Sequence, residues 1–109
     1  MIHILDGLTV LPGSLGEVRR RIDEDYLPVA ATLGMRRLHT WIAPAVELAD
    51  RSTELLILWE LDDVPGYWAA KRGGATDPQV GAFWSGLEPL LSGRTRRIMA
   101  DPDDPTVLR

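Results

Sequence analysis

The chain has 109 residues, 45% of them hydrophobic, which suits one globular domain with a thin core. Sixteen Asp and Glu against twelve Lys and Arg give a formal charge of −4, so nucleic acid is not an expected partner. No Cys and only two His exclude disulfides, Cys-ligated metals and a three-His metal site. No apolar run approaches the roughly 20 residues of a membrane span, and the start lacks the basic region of a signal peptide. We therefore expect a cytoplasmic protein without metal, organic cofactor or membrane partner.

The first third of the chain predicts a strand followed by a helix. Residues 2–11 are rich in Ile, Leu and Val and end at a Pro-Gly turn. Ser14 and Glu17 have the spacing of a capping box, and the apolar residues that follow recur every three or four positions up to Gly34. Because Pro28 lacks an amide hydrogen, the helix should be interrupted in the turn before it.

The middle of the chain predicts two strands, at residues 35–42 and 54–61. The second contains the unbroken apolar run Leu55–Trp59, whereas a strand with one wet face would alternate polar and apolar residues. We therefore expect both faces of this strand to be covered.

The last third predicts two helices and a strand. A short helix at 64–72 should end at Gly73 and Gly74, which would form a mobile bridge over a pocket. Asp77 and Pro78 should start a second helix that runs to residue 93, followed by a strand at 94–100. Residues 101–109 hold three acids and two Pro, which indicates a loose tail or a packing arm.

The element order β-α-β-β-α-β predicts an α+β, ferredoxin-like domain over residues 1–100, with a four-stranded antiparallel sheet and helices on one face. The other face would be left bare although its strands are apolar. We therefore expect a homodimer in which two sheets pack face to face, a dimeric α+β barrel with a cavity between them.

The segment MIHILDGLTVLPGSLGEV resembles the opening of NIPSNAP-type dimeric α+β barrel proteins. The resemblance continues through nearly the whole chain, in Tyr26-Leu27-Pro28, Leu33-Gly34, Trp41, Leu58-Trp59-Glu60, Asp77-Pro78 and Phe83-Trp84. The chain departs from the family where Ile4, Asp6, Leu8 and Ile57 replace more polar residues that would face the cavity. The resemblance thus implies an unusually apolar cavity in which Asp6 is the remaining acid.

Four residues are the candidates for proton transfer. Asp6 stands in an apolar strand, where a carboxylate must be ion-paired, hydrogen-bonded or raised in pKa, so it is either a general base or the partner of an Arg. His3 and His39 have side chains that ordinarily titrate near neutrality, but strand alternation turns His3 away from the face of Asp6. Tyr26, beside the interruption at Pro28, could act as donor or acid.

Large aromatic side chains are the candidates for ligand binding, because indole walls suit planar substrates. The full set of expected substrate contacts is Leu8, Trp41, Ile57, Trp59, Tyr67, Trp68 and Trp84. Each of the aromatic residues also has a structural alternative as part of the core or the rim.

The NIPSNAP resemblance and the apolar cavity favour a small-molecule enzyme that needs no cofactor. Our first hypothesis is a cyclase or isomerase that transfers protons on an apolar, cyclic or polyketide-like substrate. A cofactor-independent monooxygenase of the same fold and a non-catalytic ligand-binding or structural dimer remain as alternatives.

Overall fold

The computed structural model describes residues 1–107, which form one antiparallel sheet with helices packed against one face. The strands are β1 (Ile2–Val10), β2 (Arg36–Ala43), β3 (Thr53–Leu61) and β4 (Leu91–Ala100). The helices are α1 (Leu15–Arg21), α2 (Leu27–Thr32), α3 (Val64–Thr76) and α4 (Pro78–Leu87). A π-helical turn (Ile22–Tyr26) joins α1 to α2, and a 3-10 turn (Glu88–Leu90) joins α4 to β4.

The sheet has the strand order β2-β3-β1-β4, and every neighbouring pair is antiparallel. Together with the element order, this confirms the ferredoxin-like α+β fold. Ile4 at the centre of β1 lies opposite Trp59 of β3 and Ile98 of β4. This register places the side chains of the three residues on one face of the sheet.

The helix-covered face holds the core of the domain. Alternate residues of β1 and β3 point to this face. Thr53 at the start of β3 is 4% exposed, and the others are at most 2% exposed. These others are Ile2, Ile4, Asp6, Leu8, Val10, Leu55, Ile57, Trp59 and Leu61. Val18, Ile22, Tyr26 and Leu87 of the helical segments pack onto them. Each buried aliphatic side chain contributes about 1.5–3 kcal/mol, so this face supplies most of the hydrophobic stabilisation.

The open face of the sheet has no covering element within residues 1–107. The side chains of Leu56 and Leu58 on β3 and Leu5 on β1 point to this face and are half-buried, while Trp41 on β2 is 46% exposed. Within residues 1–107, β3 is covered on the helix side, and cover of its other face by a second copy stays a prediction. The expectation that Asp6 and its strand neighbours face a cavity between two sheets is wrong, because they lie beneath the helices.

Several local expectations are corrected by the structure. The predicted capping box does not form: Ser14 has a helical backbone (φ −101°, ψ 0°) instead of the extended one of a capping residue and makes no side-chain cap bond, and Glu17 pairs with Arg20 and Arg21. The helix α3 continues through Gly73 and Gly74 to Thr76, so the predicted mobile bridge is helical. A Cβ on Gly73 would lie 2.8 Å from a methyl group of Leu33, and the glycine thus allows α3 to approach α2.

The end of the domain also differs from the prediction. Helix α4 ends at Leu87 and β4 already begins at Leu91, three residues earlier than expected. Asp77 caps α4 as predicted, since its carboxylate accepts from the amide of Gln79.

Residues 101–107 form a series of turns that pack against the start of α3. The Asp104 carboxylate accepts from the hydroxyl and amide of Thr106 and from the Met1 ammonium group. These bonds lower the pKa of Asp104 from 3.8 to about 2, with the Thr106 hydroxyl as the largest cause. The Thr106 hydroxyl oxygen in turn accepts from the amide of Val64, the first residue of α3. Residues 108 and 109 of the expected tail lie outside the described part.

Among residues 1–107, no helix combines the length and the apolar character needed to cross a membrane.

Candidate functional site

The π-helical turn Ile22–Tyr26 sets the position of Tyr26. Pro28 cannot donate to the carbonyl one turn back, which agrees with the predicted interruption before it. The wider turn brings both Ile22 and Tyr26 onto the sheet, where each is 2% exposed. Single π turns of this kind occur often at functional sites.

An ion pair between the buried Asp6 and the partly exposed Arg96 lies next to Tyr26. The Asp6 carboxylate, 1% exposed, accepts from Arg96 Nε at 2.6 Å and from Arg96 Nη2 at 2.9 Å. Its Oδ2 atom also accepts from Trp59 Nε1 at 3.0 Å. Asp6 and Arg96 face each other across β1 and β4, so the register of the sheet brings the pair together. This is the ion-paired alternative considered for Asp6 in the sequence.

The ion pair holds Arg96 in its charged form. Burial lowers the pKa of Arg96, but the hydrogen bonds and charge of Asp6 outweigh this effect and raise the pKa above its ordinary value. The side chain keeps 34% of its surface exposed, so the charge is available to a ligand. Arg96 Nη2 also donates to the Tyr26 hydroxyl oxygen at 3.4 Å, a long hydrogen bond.

Aromatic rings surround Tyr26 on three sides. Its ring centroid lies 4.9 Å from Phe83, 5.1 Å from Trp84 and 5.6 Å from Trp59. The contacts with the two Trp rings are edge-to-face, an arrangement that adds to the stabilisation from burial. The phenol is therefore fixed in orientation, with its oxygen directed at Arg96.

A cavity of about 310 Å³ opens beside this network, between the helices and strands β1 and β4. Its apolar lining comes from Ile4, Leu33, Met35, Ala70, Gly74, Val80 and Ile98, its aromatic lining from Tyr26, Tyr67 and Trp84, and its charged lining from Lys71, Arg94 and Arg96. The volume is at the lower end of the range for small-molecule sites. Asp6 does not line the cavity, because it lies below Arg96.

Five of the residues expected at the site are brought together here. Tyr26, Tyr67 and Trp84 line the cavity, while Asp6 and Trp59 support it from below. Trp59 is fully buried and therefore contacts Asp6 and Tyr26 instead of a ligand.

The other expected site residues lie elsewhere. His3 is on the open face, 3.8 Å from Glu60, and His39 stacks on Trp41 with 5.0 Å between ring centroids. His39 also borders a separate depression of about 150 Å³ at the edge strand β2. Trp68 is 45% exposed on α3. The remaining two expected contacts, Leu8 and Ile57, belong to the core and do not line the cavity.

The cationic residues of the cavity are not among the site residues predicted from the sequence. Arg94 and Arg96 belong to a basic cluster in the sequence, which on its own indicates a solvated surface. Alternation places Arg94, Arg96 and Ile98 on one face of a strand, but only the pairing of β4 with β1 shows that this face is the one that carries Asp6.

The fold defines the class of protein to which the chain is similar. No protein-family model and no curated relative matches the chain. Among solved structures, the fold is that of NIPSNAP domain proteins, for example one from Burkholderia xenovorans with a TM-score of 0.75 at 18% identity, covering 94% of this chain and 96% of that one.

Two further solved structures extend this comparison. A NIPSNAP family protein from Agrobacterium tumefaciens has a TM-score of 0.72 at 17% identity, with 94% of this chain and 86% of that one covered. A candidate antibiotic biosynthesis monooxygenase from Deinococcus radiodurans has a TM-score of 0.63 at 13% identity over the whole of both chains. At these identities the similarity establishes the shared fold.

Proposed function

We propose that the protein is an enzyme of the isomerase or cyclase type, which transfers a proton on a small aromatic or polyketide-like ketone bound in the cavity. The observation that supports this proposal is the Tyr26 hydroxyl group, held against the charged Arg96 at the wall of an aromatic cavity. A phenol beside a fixed cation can give up and regain a proton at a defined place.

The proton would move between the Tyr26 oxygen and a substrate carbon next to a carbonyl group. In the proposed step Tyr26 first loses its phenol proton to solvent, and the hydrogen bond from Arg96 Nη2 stabilises the phenolate while carbon still holds its proton. When Tyr26 holds it, the substrate is an enolate, whose oxygen could accept from the Nη1 hydrogens of Arg96. A fixed cation of this kind lowers the barrier because it does not have to reorganise as charge develops.

Asp6 has a positioning role in this proposal. Its two oxygens accept three hydrogen bonds, two of them from Arg96 and one from Trp59. It therefore fixes the guanidinium plane and does not act as the general base that the sequence suggested.

The proton-transfer proposal can be tested with 2-tetralone, a neutral two-ring ketone. Deuterium incorporation at its benzylic carbon in D₂O is followed by proton NMR, with and without protein. We expect exchange faster than in buffer alone, and a loss of at least about 100-fold in Tyr26→Phe. Trp68→Phe, an exposed aromatic outside the cavity, is the matched control and should keep the wild-type rate. Equal rates for wild type and Tyr26→Phe would remove the proposed role of Tyr26.

A cofactor-independent monooxygenase is the second candidate. It is favoured by the fold shared with the candidate antibiotic biosynthesis monooxygenase. In such a reaction the substrate anion reduces O₂, a CH₂ group becomes a carbonyl group, and the second oxygen atom leaves as water. Oxygen consumption with anthrone as substrate, measured with an oxygen electrode, distinguishes the two candidates. Consumption of one O₂ per anthrone above the buffer rate supports this candidate, whereas proton exchange without oxygen uptake supports the first.

We also propose that a second copy of the chain covers the open face. Leu5, Leu56, Leu58 and Trp41 form an apolar centre there, with charged residues such as Arg36 and Glu60 at its edge. An apolar centre with a polar rim is typical of a homodimer interface. Light scattering after gel filtration should give twice the mass of the chain, and Leu58→Arg should give a folded monomer.

A further inference from the structure

The cavity has an excess of positive charge in an acidic chain. Lys71, Arg94 and Arg96 line it, and no Asp or Glu of the described residues does so. Asp6 neutralises Arg96 from below, whereas Arg94 and Lys71 form no ion pair with any residue in the described part of the chain. Since the chain as a whole carries a charge of −4, this local excess is not a consequence of composition.

Arg94 is placed to receive an anion. Within residues 1–107 it makes no ion pair, and its guanidinium group lies 3.9 Å from the centroid of the Trp84 ring. Stacking on an indole fixes the guanidinium plane while its N–H groups remain free for a planar acceptor such as a carboxylate. Arg94 also shares a face of β4 with Arg96, two residues away, so both cations border one space.

Lys71 provides a further charge from α3, and its ammonium nitrogen lies 5.3 Å from the centroid of the exposed Trp68 ring. Lys71 lies on α3 one turn after Tyr67, so both residues project from the same side of the helix toward the cavity. A carboxylate between Lys71 and Arg94 would leave the rest of the ligand against Tyr67, Trp84 and Tyr26. These rings suit a planar aromatic body, and the volume of about 310 Å³ suits one or two rings.

We propose that the ligand of this cavity is a planar aromatic carboxylate, held by Arg94 and Lys71 through its anionic group and by the aromatic walls through its ring system. This inference rests on the cavity of the proposed function and specifies its substrate class. It predicts that a negative charge on the ligand, and not only its shape, determines binding.

Isothermal titration with 2-naphthoate and its neutral isostere 2-naphthamide tests the inference without requiring turnover. We expect naphthoate to bind at least about tenfold more tightly than the amide at low salt, with the advantage reduced at high salt. Arg94→Gln and Lys71→Gln should each remove most of that advantage. The matched controls are Arg97→Gln, on the opposite face of β4, and Arg72→Gln, beside Lys71, and both should retain it.

The outcomes separate this inference from the proposed function. Naphthoate binding that depends on Arg94 supports the inference, and if neither 2-tetralone nor a 2-tetralone that carries a ring carboxylate undergoes catalysed exchange, the proposed enzyme is contradicted. Catalysed exchange together with equal binding of naphthoate and naphthamide overturns the inference and leaves the enzyme. Absence of naphthoate binding, or binding that Arg94→Gln and Lys71→Gln leave unchanged, also overturns the inference.

Discussion

The two faces of the sheet carry different chemistry although the same four strands build both. The helix-covered face holds Asp6, Arg96 and Tyr26 in one hydrogen-bonded network. The open face holds both histidines, with His39 stacked on the half-exposed Trp41. Both imidazole groups thus lie away from the cavity, whose polar side chains are those of Arg, Lys and Tyr. Residue type alone is therefore a poor guide to the site, whereas the face of the strand is a good one.

The largest effect should come from breaking the ion pair on the helix-covered face. Arg96→Met leaves the Asp6 carboxylate buried with Trp59 as its one remaining donor. We expect a loss of about 2–4 kcal/mol in the free energy of unfolding, reduced from the value for a fully buried pair because Arg96 is partly exposed. Urea unfolding measures it. The double variant Asp6→Leu with Arg96→Met should recover much of the loss, and a purely additive result would argue against coupling.

The neighbouring residues Leu55 and Leu56 of β3 point to opposite faces, so substitutions at the two positions compare how much each face contributes to stability. Leu55 is 1% exposed under the helices, and Leu56 points to the open face. Leu55→Ala should cost about 3 kcal/mol at any protein concentration. Leu56→Ala should lower the free energy of unfolding by roughly 1 kcal/mol in dilute protein. The loss should grow as the protein concentration rises, because a dimer would bury the Leu56 side chain. Thermal unfolding over a hundredfold range of concentration tests this, and a constant cost for Leu56→Ala would count against the dimer.

The histidines test whether the open face takes part in catalysis. His3→Ala and His39→Ala should keep the rate of 2-tetralone exchange within about twofold, because neither side chain lines the cavity. The NMR exchange assay with Tyr26→Phe as the inactive reference measures this. A loss comparable to that of Tyr26→Phe in either variant would return proton transfer to the open face.

The smallest effect concerns the turns that hold the start of α3. The folded pKa of Asp104, about 2, lies below its ordinary value of 3.8, so its ionised form stabilises the fold above pH 4. This contribution declines as the pH falls from about 4 through 2. Asp104→Asn should therefore be less stable than wild type by the same amount at pH 7 and pH 5, and by less at pH 3. Urea midpoints at the three pH values check it, and a difference that grows toward pH 3 would have the wrong sign.

The sequence predicts the fold well because the spacing of apolar residues indicates which side chains of each strand and helix are buried. The apolar residues of β1, β3 and the helices are sufficient to give the element order, and Pro28 marks the interruption that becomes a π turn. The capping box at Ser14 is absent because the backbone of Ser14 is helical and the carboxylate of Glu17 is bonded to Arg20 and Arg21, neither of which the spacing of Ser and Glu reports. Gly73 and Gly74 were misread because a glycine that permits close packing has the same sequence signal as one that ends a helix.

The candidate site was predicted in part. Tyr26, Tyr67 and Trp84 line the cavity, because large aromatic residues of the helices face the sheet, and their contact with a ligand stays a prediction. Arg94 and Arg96 were missed as site residues, since their placement depends on the pairing of β4 with β1, which brings together residues 90 positions apart. Local patterns carry no information on such a pairing.

The π turn has a consequence for how relatives of this chain should be aligned. A π turn accommodates one more residue than an α-helical turn in the same rise, so relatives with a continuous helix should be one residue shorter between Val18 and Leu27. Deleting one residue from Asp23–Asp25 should therefore give a continuous α-helix in which Leu15 and Val18 still face the sheet. The π turn thus allows the length of this segment to differ by one residue while the buried faces of α1 and α2 are kept.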